Sequence, residues 1–302
     1  MKFYFAPLAD ISTPIYRAVC YAGGADICYS EMISAKAVVM KNRKTIDLAT
    51  ILPEEKQTFL QLFGAGPSDF YEATKILEQT IHPAGFDINV GCPVKKVIKG
   101  GAGSALMATP EVLRDVIAAT RKATELPLSV KIRKGFIEPN YREIAHIAQE
   151  EGADLLVVHP RLRGEMFSGV SDFSVSIELA EMLSIPVIHS GDINDTQAVA
   201  QFDNTEVAGL MIGRASFGHP WIFRQLQGMN ITENERKNMI NMHFSMILES
   251  NMHEKVKMIT IKKHASWYAS GRRGATHFRQ ELFEKKKTVK EAVKFVSSFL
   301  DL

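Results

Sequence analysis

The residues best suited to chemistry in this chain stand at the ends of five short apolar runs. Asn89-Val90-Gly91-Cys92-Pro93 holds a thiol on a tightly bent turn, and Val130-Lys131-Ile132-Arg133 brings up an amine. His159-Pro160-Arg161 ends a third run in an imidazole, while Ser190-Gly191-Asp192 and Gly213-Arg214 close the fourth and fifth. A thiol can protonate a carbanion-like centre, and a lysine can stabilise negative charge that develops beside it. Glycine turns that lead into helices offer backbone N–H groups to an anion, to which Arg214 would add a charged fork. Taken alone, each has a plain structural explanation: a lone cysteine is more often packing, a lysine a surface group, a glycine a turn. Only an architecture that gathers all five at one rim turns them into chemistry.

Eight β-rich runs could supply that architecture: Phe3–Pro7, Asp26–Ser30, Thr58–Phe63, Phe86–Val90, Leu128–Ile132, Leu155–His159, Pro186–His189 and Gly209–Ile212. Most are continuously apolar, as parallel strands covered on both faces are, and their spacing suits successive βα units. Helix signals lie between them. Thr109-Pro110-Glu111 reads as an N-cap with proline at the first helical position, a period runs from Tyr141 to Glu151, and Asp195 caps the segment carrying Val199 and Phe202. The expectation is an α/β fold, a (β/α)8 TIM barrel over residues 1–228, close to the ~250 residues typical of that fold. A doubly wound sheet would open with a glycine-rich turn directly after a strand. Gly101-Ala102-Gly103-Ser104-Ala105-Leu106 lacks the last small residue of that fingerprint and does not follow a strand, so it is rejected as one. In a barrel the five sites meet at the C-terminal mouth, and the turns after strands seven and eight become a phosphate site. A phosphorylated cofactor with its ring across the mouth follows, and FMN fits better than a free dinucleotide.

After Met229 the strand signals cease. Thr232-Glu233-Asn234-Glu235 opens a run with Met239, Met242, His243, Met246 and Ile247 at helical spacing, Gly271-Arg272-Arg273-Gly274 breaks the next helix, and Thr288–Leu300 forms the last. Residues 229–302 are therefore expected to form a C-terminal all-helical domain, with the methionine stripe filling its core. The chain has 302 residues, 46% hydrophobic and 23% charged, which excludes a disordered chain. Its longest apolar runs are strand-sized, and the six-residue apolar run in the start MKFYFAPLAD is too short for the hydrophobic region of a signal peptide. Three cysteines (Cys20, Cys28, Cys92) cannot make a disulfide framework, so a reduced, cytoplasmic protein with no metal and no membrane partner is expected. The net charge of +2 is divided unevenly: from Met229 onward fourteen Lys and Arg face eight Asp and Glu. Between Lys255 and Lys290 eleven basic residues meet only Glu281 and Glu284. Such a tail suits a polyanion partner, but a solvated helix face would look the same, and charge alone leaves both open.

Read in order, these motifs resemble the tRNA-dihydrouridine synthases, a family of flavin enzymes with a barrel and a C-terminal helical domain. The resemblance rests on the Asn-x-Gly-Cys-Pro turn at 89–93, Gly101–Leu106, Val130–Arg133, His159-x-Arg161, Ser190-Gly191-Asp192-Ile193, and Met211-Ile212-Gly213-Arg214 followed by Pro220-Trp221-Ile222-Phe223. Ser30-Glu31-Met32, Gln61-Leu62-Phe63-Gly64 and Lys263-His264-Ala265-Ser266-Trp267-Tyr268 extend it over nearly the whole chain. The family more often has Met where Leu8 stands and Asn where Ser190 stands, and Pro160 and Leu162 replace small or hydroxyl residues.

The resemblance implies roles. Pro7, Leu8 and Ala9 would lie along the flavin ring, Gln61 would bond its pyrimidine edge, Lys131 would sit by its N1/O2 edge, and His159 would pack beside it. Ser190, Gly191, Asp192, Gly213 and Arg214 would hold the FMN phosphate. Asn89 and Arg161 would orient the target base; from the basic bias of the tail, Lys262, Lys263, Arg272 and Arg273 are expected to contact tRNA. NADPH would reduce the flavin, hydride would pass to C6 of a uridine, and Cys92 would protonate C5. The chain would be a monomer when not bound to tRNA. A small-molecule flavin reductase of the dihydroorotate dehydrogenase type is the rival, with the tail used only for self-association. A non-catalytic RNA-binding protein would leave Cys92, Lys131 and His159 without purpose.

Overall fold

A computed structural model describes residues 1–302. Nine strands, all parallel, form one sheet: β1 (Lys2–Phe5), β2 (Ile27–Tyr29), β3 (Ile33–Ser34), β4 (Thr58–Phe63), β5 (Gly85–Val90), β6 (Leu128–Gly135), β7 (Leu155–Leu162), β8 (Val187–Ser190) and β9 (Gly209–Ile212). β1 pairs with β9 on one side and β2 on the other, and β2 pairs with β4, so eight strands close into a barrel. The two-residue β3 lies outside that ring, paired to the end of β4 at Ile33↔Leu62. It was not expected, because two residues are too few to show a period.

Strand alternation sorts the side chains. On β6, Val130 and Ile132 join the apolar layer shared with the outer helices. Ser129, Lys131 and Arg133, in the intervening positions, turn inward to the barrel. The lower barrel is plugged by Tyr4, Ile27, Tyr29, Phe59, Val157, Ile188 and Met211. The upper barrel is polar, and that half escapes a reading based on continuous apolar runs.

Two strands run past their expected ends. β6 continues to Gly135 and β7 to Leu162, with a register shift between Arg133 and Gly135. Pro160 therefore lies within β7, although a proline lacks the donor a ladder needs. The irregular register beside it accommodates that loss. Helix Pro110–Ala123 begins with proline as expected, but Thr109 makes no cap bond; its Oγ1 reaches the Ala105 carbonyl instead. Asp195 does cap, accepting the Ala198 N–H at 2.9 Å.

The C-terminal helices are Glu233–Glu249, Glu254–Tyr268, Ala275–Glu284 and Val289–Leu300. The first and last open with reciprocal capping boxes, Thr232 with Glu235 and Thr288 with Glu291. Their apolar core is more aromatic than the methionine stripe suggests. Met239 is buried there with Phe244, Tyr268 and Phe278, whereas Met242 and Met246 are only half-buried. Helix Pro14–Ala22 of the barrel meets this region through Tyr16, whose ring lies 5.2 Å from His243 and 4.7 Å from His264. No helix is long and apolar enough to cross a membrane.

Candidate active site

The barrel mouth opens into a cavity of about 570 Å³, within the range of small-molecule sites. Its lining includes Pro7, Leu8, Ala9, Asn89, Cys92, Lys131, His159, Arg161, Ser190, Gly191, Asp192, Gly213 and Arg214. Twelve further residues complete it, Met32, Arg133 and Phe167 among them. Every rim motif named from the sequence thus converges on one space.

Cys92 is held by its backbone from both sides. Asn89 Oδ1 accepts the N–H groups of Gly91 (3.2 Å) and Cys92 (2.9 Å). The Cys92 carbonyl in turn accepts from Ser104 N (3.1 Å) and Ser104 Oγ (2.9 Å). Gly103 makes that approach possible: it has a φ of +62°, and a Cβ there would lie 2.9 Å from the Cys92 carbonyl oxygen. The segment 101–106 is no nucleotide loop; it is the bed of the cysteine turn. With its backbone fixed, the half-buried thiol faces the cavity. Cys20 and Cys28 are fully buried.

Asn89 is set by a polar ladder beneath it. Its Nδ2 donates to Gln61 Oε1 at 2.8 Å, Gln61 Nε2 donates to an oxygen of Asp87 at 2.6 Å, and Ser129 donates to the other. Gln61 is fully buried with both ends of its amide engaged, and it does not line the cavity. Through this bond Gln61 orients Asn89 from behind the cavity lining. Lys131 pairs with Asn89 in register across β5 and β6. Burial draws its amine down and pushes the Asp87 carboxyl up, while each charge supports the other.

Arg161 is fixed by its neighbours on the same wall. It is 1% exposed, and its donors go to His159 Nε2 (3.0 Å), the Ser168 and Gly169 carbonyls (3.0 and 2.8 Å) and Asp192. Four of its five N–H donors are engaged, so Arg161 braces the wall of the cavity that it lines. Because arginine only donates, His159 Nε2 is an acceptor and the ring hydrogen sits on Nδ1. Burial and the charges of Lys131, Arg133 and Arg161 draw the His159 imidazole down to about 2, so it stays neutral.

The two glycine turns form a cradle. At Gly191, with φ +133°, a Cβ would meet Ser171 Oγ at 2.6 Å and His159 Cδ2 at 3.0 Å, so only glycine lets the backbone follow this wall. Asp192 spends its carboxylate on Arg161 and the Ser171 N–H. What it offers an anion is its left-handed turn. Arg214 is different: its half-exposed guanidinium makes one long bond of 3.4 Å to Asp192 and can turn to a bound phosphate. Glycine turns, a half-exposed arginine and a buried amine facing one cavity fit a phosphorylated flavin.

The four basic tail residues lie away from this cavity. Lys262 and Lys263 line a shallow second hollow with Met258, Ile259, Ser266, Trp267 and Phe283. Lys263 Nζ donates to the Asp10 carbonyl at 2.6 Å, Arg272 faces Glu233 at 3.7 Å, and Arg273 is exposed. No group of three or more His, Cys, Asp or Glu side chains is placed to hold a metal ion.

The family model described as "Dihydrouridine synthase (Dus)" matches residues 4–301. The chain belongs to the dihydrouridine synthase family. Among the relatives of this synthase, tRNA-dihydrouridine synthase B of Shewanella oneidensis is 34% identical, covering 98% of this chain and 94% of that one. A probable tRNA-dihydrouridine synthase of Aquifex aeolicus is 32% identical over 83% of this chain and 81% of its own. The synthase B of Escherichia coli is 36% identical over 74% and 70%. A match that takes in the helical tail sets the small-molecule reading aside. The sequence reading assigned no role to Arg133, Phe167 or Asp87 in this synthase. Two-residue alternation from Lys131 would have placed Arg133 inside; nothing local marks Phe167.

Proposed function

We propose that this chain reduces the C5–C6 double bond of uridine in tRNA, using FMN and a reduced nicotinamide, NADPH. The observation that carries the reading is Cys92, pinned through its backbone with its thiol facing a cavity walled by Lys131, His159 and two glycine turns. FMN, when bound, supplies the hydride for C6 of the base. The chain's own part is to protonate C5, and a thiol with an ordinary pKa of about 8.5 is protonated at neutral pH yet acidic enough to donate. Ser190, Gly191, Asp192, Gly213 and Arg214 hold the phosphate, and Lys131 supplies positive charge where the ring becomes anionic. Pro7, Leu8 and Ala9 form the facing wall. Asn89 faces the base from the same cavity.

A base stacked in a helix is out of reach of such a cavity, so the target lies in a loop or is flipped. Helices within 229–302 supply the phosphate contacts, with Arg272 and Arg273 the most accessible of the four basic residues named. Anaerobic mixing of pre-reduced enzyme with unmodified tRNA tests the proposal. Cys92→Ser keeps the packing and loses the acid, so flavin reoxidation should slow by about 10²–10⁴-fold while NADPH still reduces the flavin. Unchanged reoxidation would remove Cys92 from the reaction.

A further inference from the structure

Arg133 is 3% exposed, and its bonds go to three backbone carbonyls and to no carboxylate. Nε donates to Gly91 at 2.8 Å, the residue before Cys92. Nη1 donates to Leu162 (3.1 Å), the last residue of β7, and to Met166 (3.0 Å), in the segment that follows it over the mouth. From that segment Phe167 reaches back, with its ring 5.8 Å from the Arg133 guanidinium and 6.3 Å from the His159 ring. Three neutral acceptors orient the guanidinium without cancelling its charge. A buried, uncancelled cation costs desolvation energy unless an anion joins it for part of the cycle.

The proposed chemistry supplies one. As Cys92 protonates C5, its S–H bond breaks with the electron pair left on sulfur and a C–H bond forms on the base. The thiolate stays in the cavity until water returns a proton. We propose that Arg133 is a positioning residue of this site: it ties the cysteine turn to the segment over the mouth and is the counter-charge for the Cys92 thiolate. The inference rests on the reading of Cys92 as the acid, and it names the group that makes the thiol a good one.

The surrounding groups agree with that assignment. Burial pushes the Cys92 thiol up, while the Val94 backbone N–H and the Arg133 guanidinium draw it back. Lys131 shares the strand, and His159 and Arg161 face the pair from β7. Glu165, on the turn after β7, acts on Arg133. The adjoining helix Lys95–Lys99 carries Lys95, Lys96 and Lys99, all exposed to solvent. Segment 103–108, behind the turn, has no charged side chain.

The test is the pH dependence of Cys92 alkylation by iodoacetamide in the flavin-containing full chain, read by mass on the Cys92 peptide. The buried Cys20 and Cys28 stay protected. Arg133→Gln should raise the inflection by about one unit, as expected when an opposite charge nearby is lost. Arg133→Lys should leave it near the wild-type value. An unmoved inflection in R133Q overturns the proposal. Should R133Q fail to fold, R133K decides: a rise of a full unit with the charge retained overturns it equally. Neither measurement uses tRNA, so failure of the acid role, read on tRNA with Cys92→Ser, is distinguishable from failure of the coupling.

Discussion

Asn89 Oδ1 accepts the Cys92 N–H at 2.9 Å, which makes an interior strand amide and a turn thiol one rigid unit. Asn89→Ala frees two backbone donors at once and leaves Gln61 Oε1 without its partner. We expect the variant to lose about 1–3 kcal/mol of stability, since buried polar groups would be left unmatched. Flavin reduction by NADPH should survive better than reoxidation by tRNA. Denaturant unfolding and the two half-reactions, measured separately, check this.

Gly103→Ala should disturb the thiol from behind, since Gly103 itself does not line the cavity. The new Cβ would press on Cys92 atoms at 2.9–3.0 Å and adopt a left-handed backbone. A cost of about 1–3 kcal/mol follows from strain and overpacking together. A melting temperature equal to that of the wild type would show that the turn yields more easily than its geometry suggests.

Arg214→Ala should weaken FMN retention. Removing a charge-assisted bond of about 1.5–3 kcal/mol corresponds to roughly a 10- to 150-fold weaker Kd. Flavin content after dialysis against limiting FMN is the measurement, and full content would move the phosphate elsewhere.

Acid should loosen the contact between barrel and tail. His243 is fully buried, with Nδ1 2.9 Å from Tyr268 OH, and burial holds its imidazole down to about 3. His264, in T-shaped contact 4.4 Å away, is also drawn down by burial. A histidine kept neutral binds fewer protons folded than unfolded, so stability falls as pH drops below the unfolded value of about 6.5. Each such histidine lowers the folding constant by at most about tenfold per pH unit. Melting curves between about pH 7.5 and 5.5 should show that slope, and His243→Phe should flatten it.

Glu55→Ala should be among the most damaging single changes. Arg17 and Glu55 pair at 2.6 Å with both side chains fully buried, and Arg17 also holds the Ser12 carbonyl behind Leu8. Breaking such a pair costs about 3–5 kcal/mol, because the remaining charge is stranded. Chemical denaturation measures the loss.

The eight barrel strands were legible because most are near-continuous apolar runs spaced as βα units, and glycine follows several of them. The mouth was legible for the same reason, since strand ends place Cys92, Lys131, Ser190 and Gly213 together. What escaped the sequence lies in contacts between distant segments. That Gln61 bridges Asp87 and Asn89 shows only once β4 and β5 lie side by side. Arg161 looks free until the turn at 168–169 folds back onto it. Composition shows that residues are polar; only the fold shows which polar groups are already answered.

The bond from Lys263 Nζ to the Asp10 carbonyl joins the tail to the loop bearing Pro7, Leu8 and Ala9. Nearby, Gly218 leaves no room for a side chain against the Trp267 backbone, where a Cβ would sit 2.4 Å away. The tail is therefore a buttress of the cavity's wall as well as the surface proposed for RNA. A barrel cut free near residue 228 would lose that support, and its lower turnover would report a sagging wall together with absent RNA grip. Point changes at outward-facing residues such as Arg273 keep those two causes apart; deletion merges them.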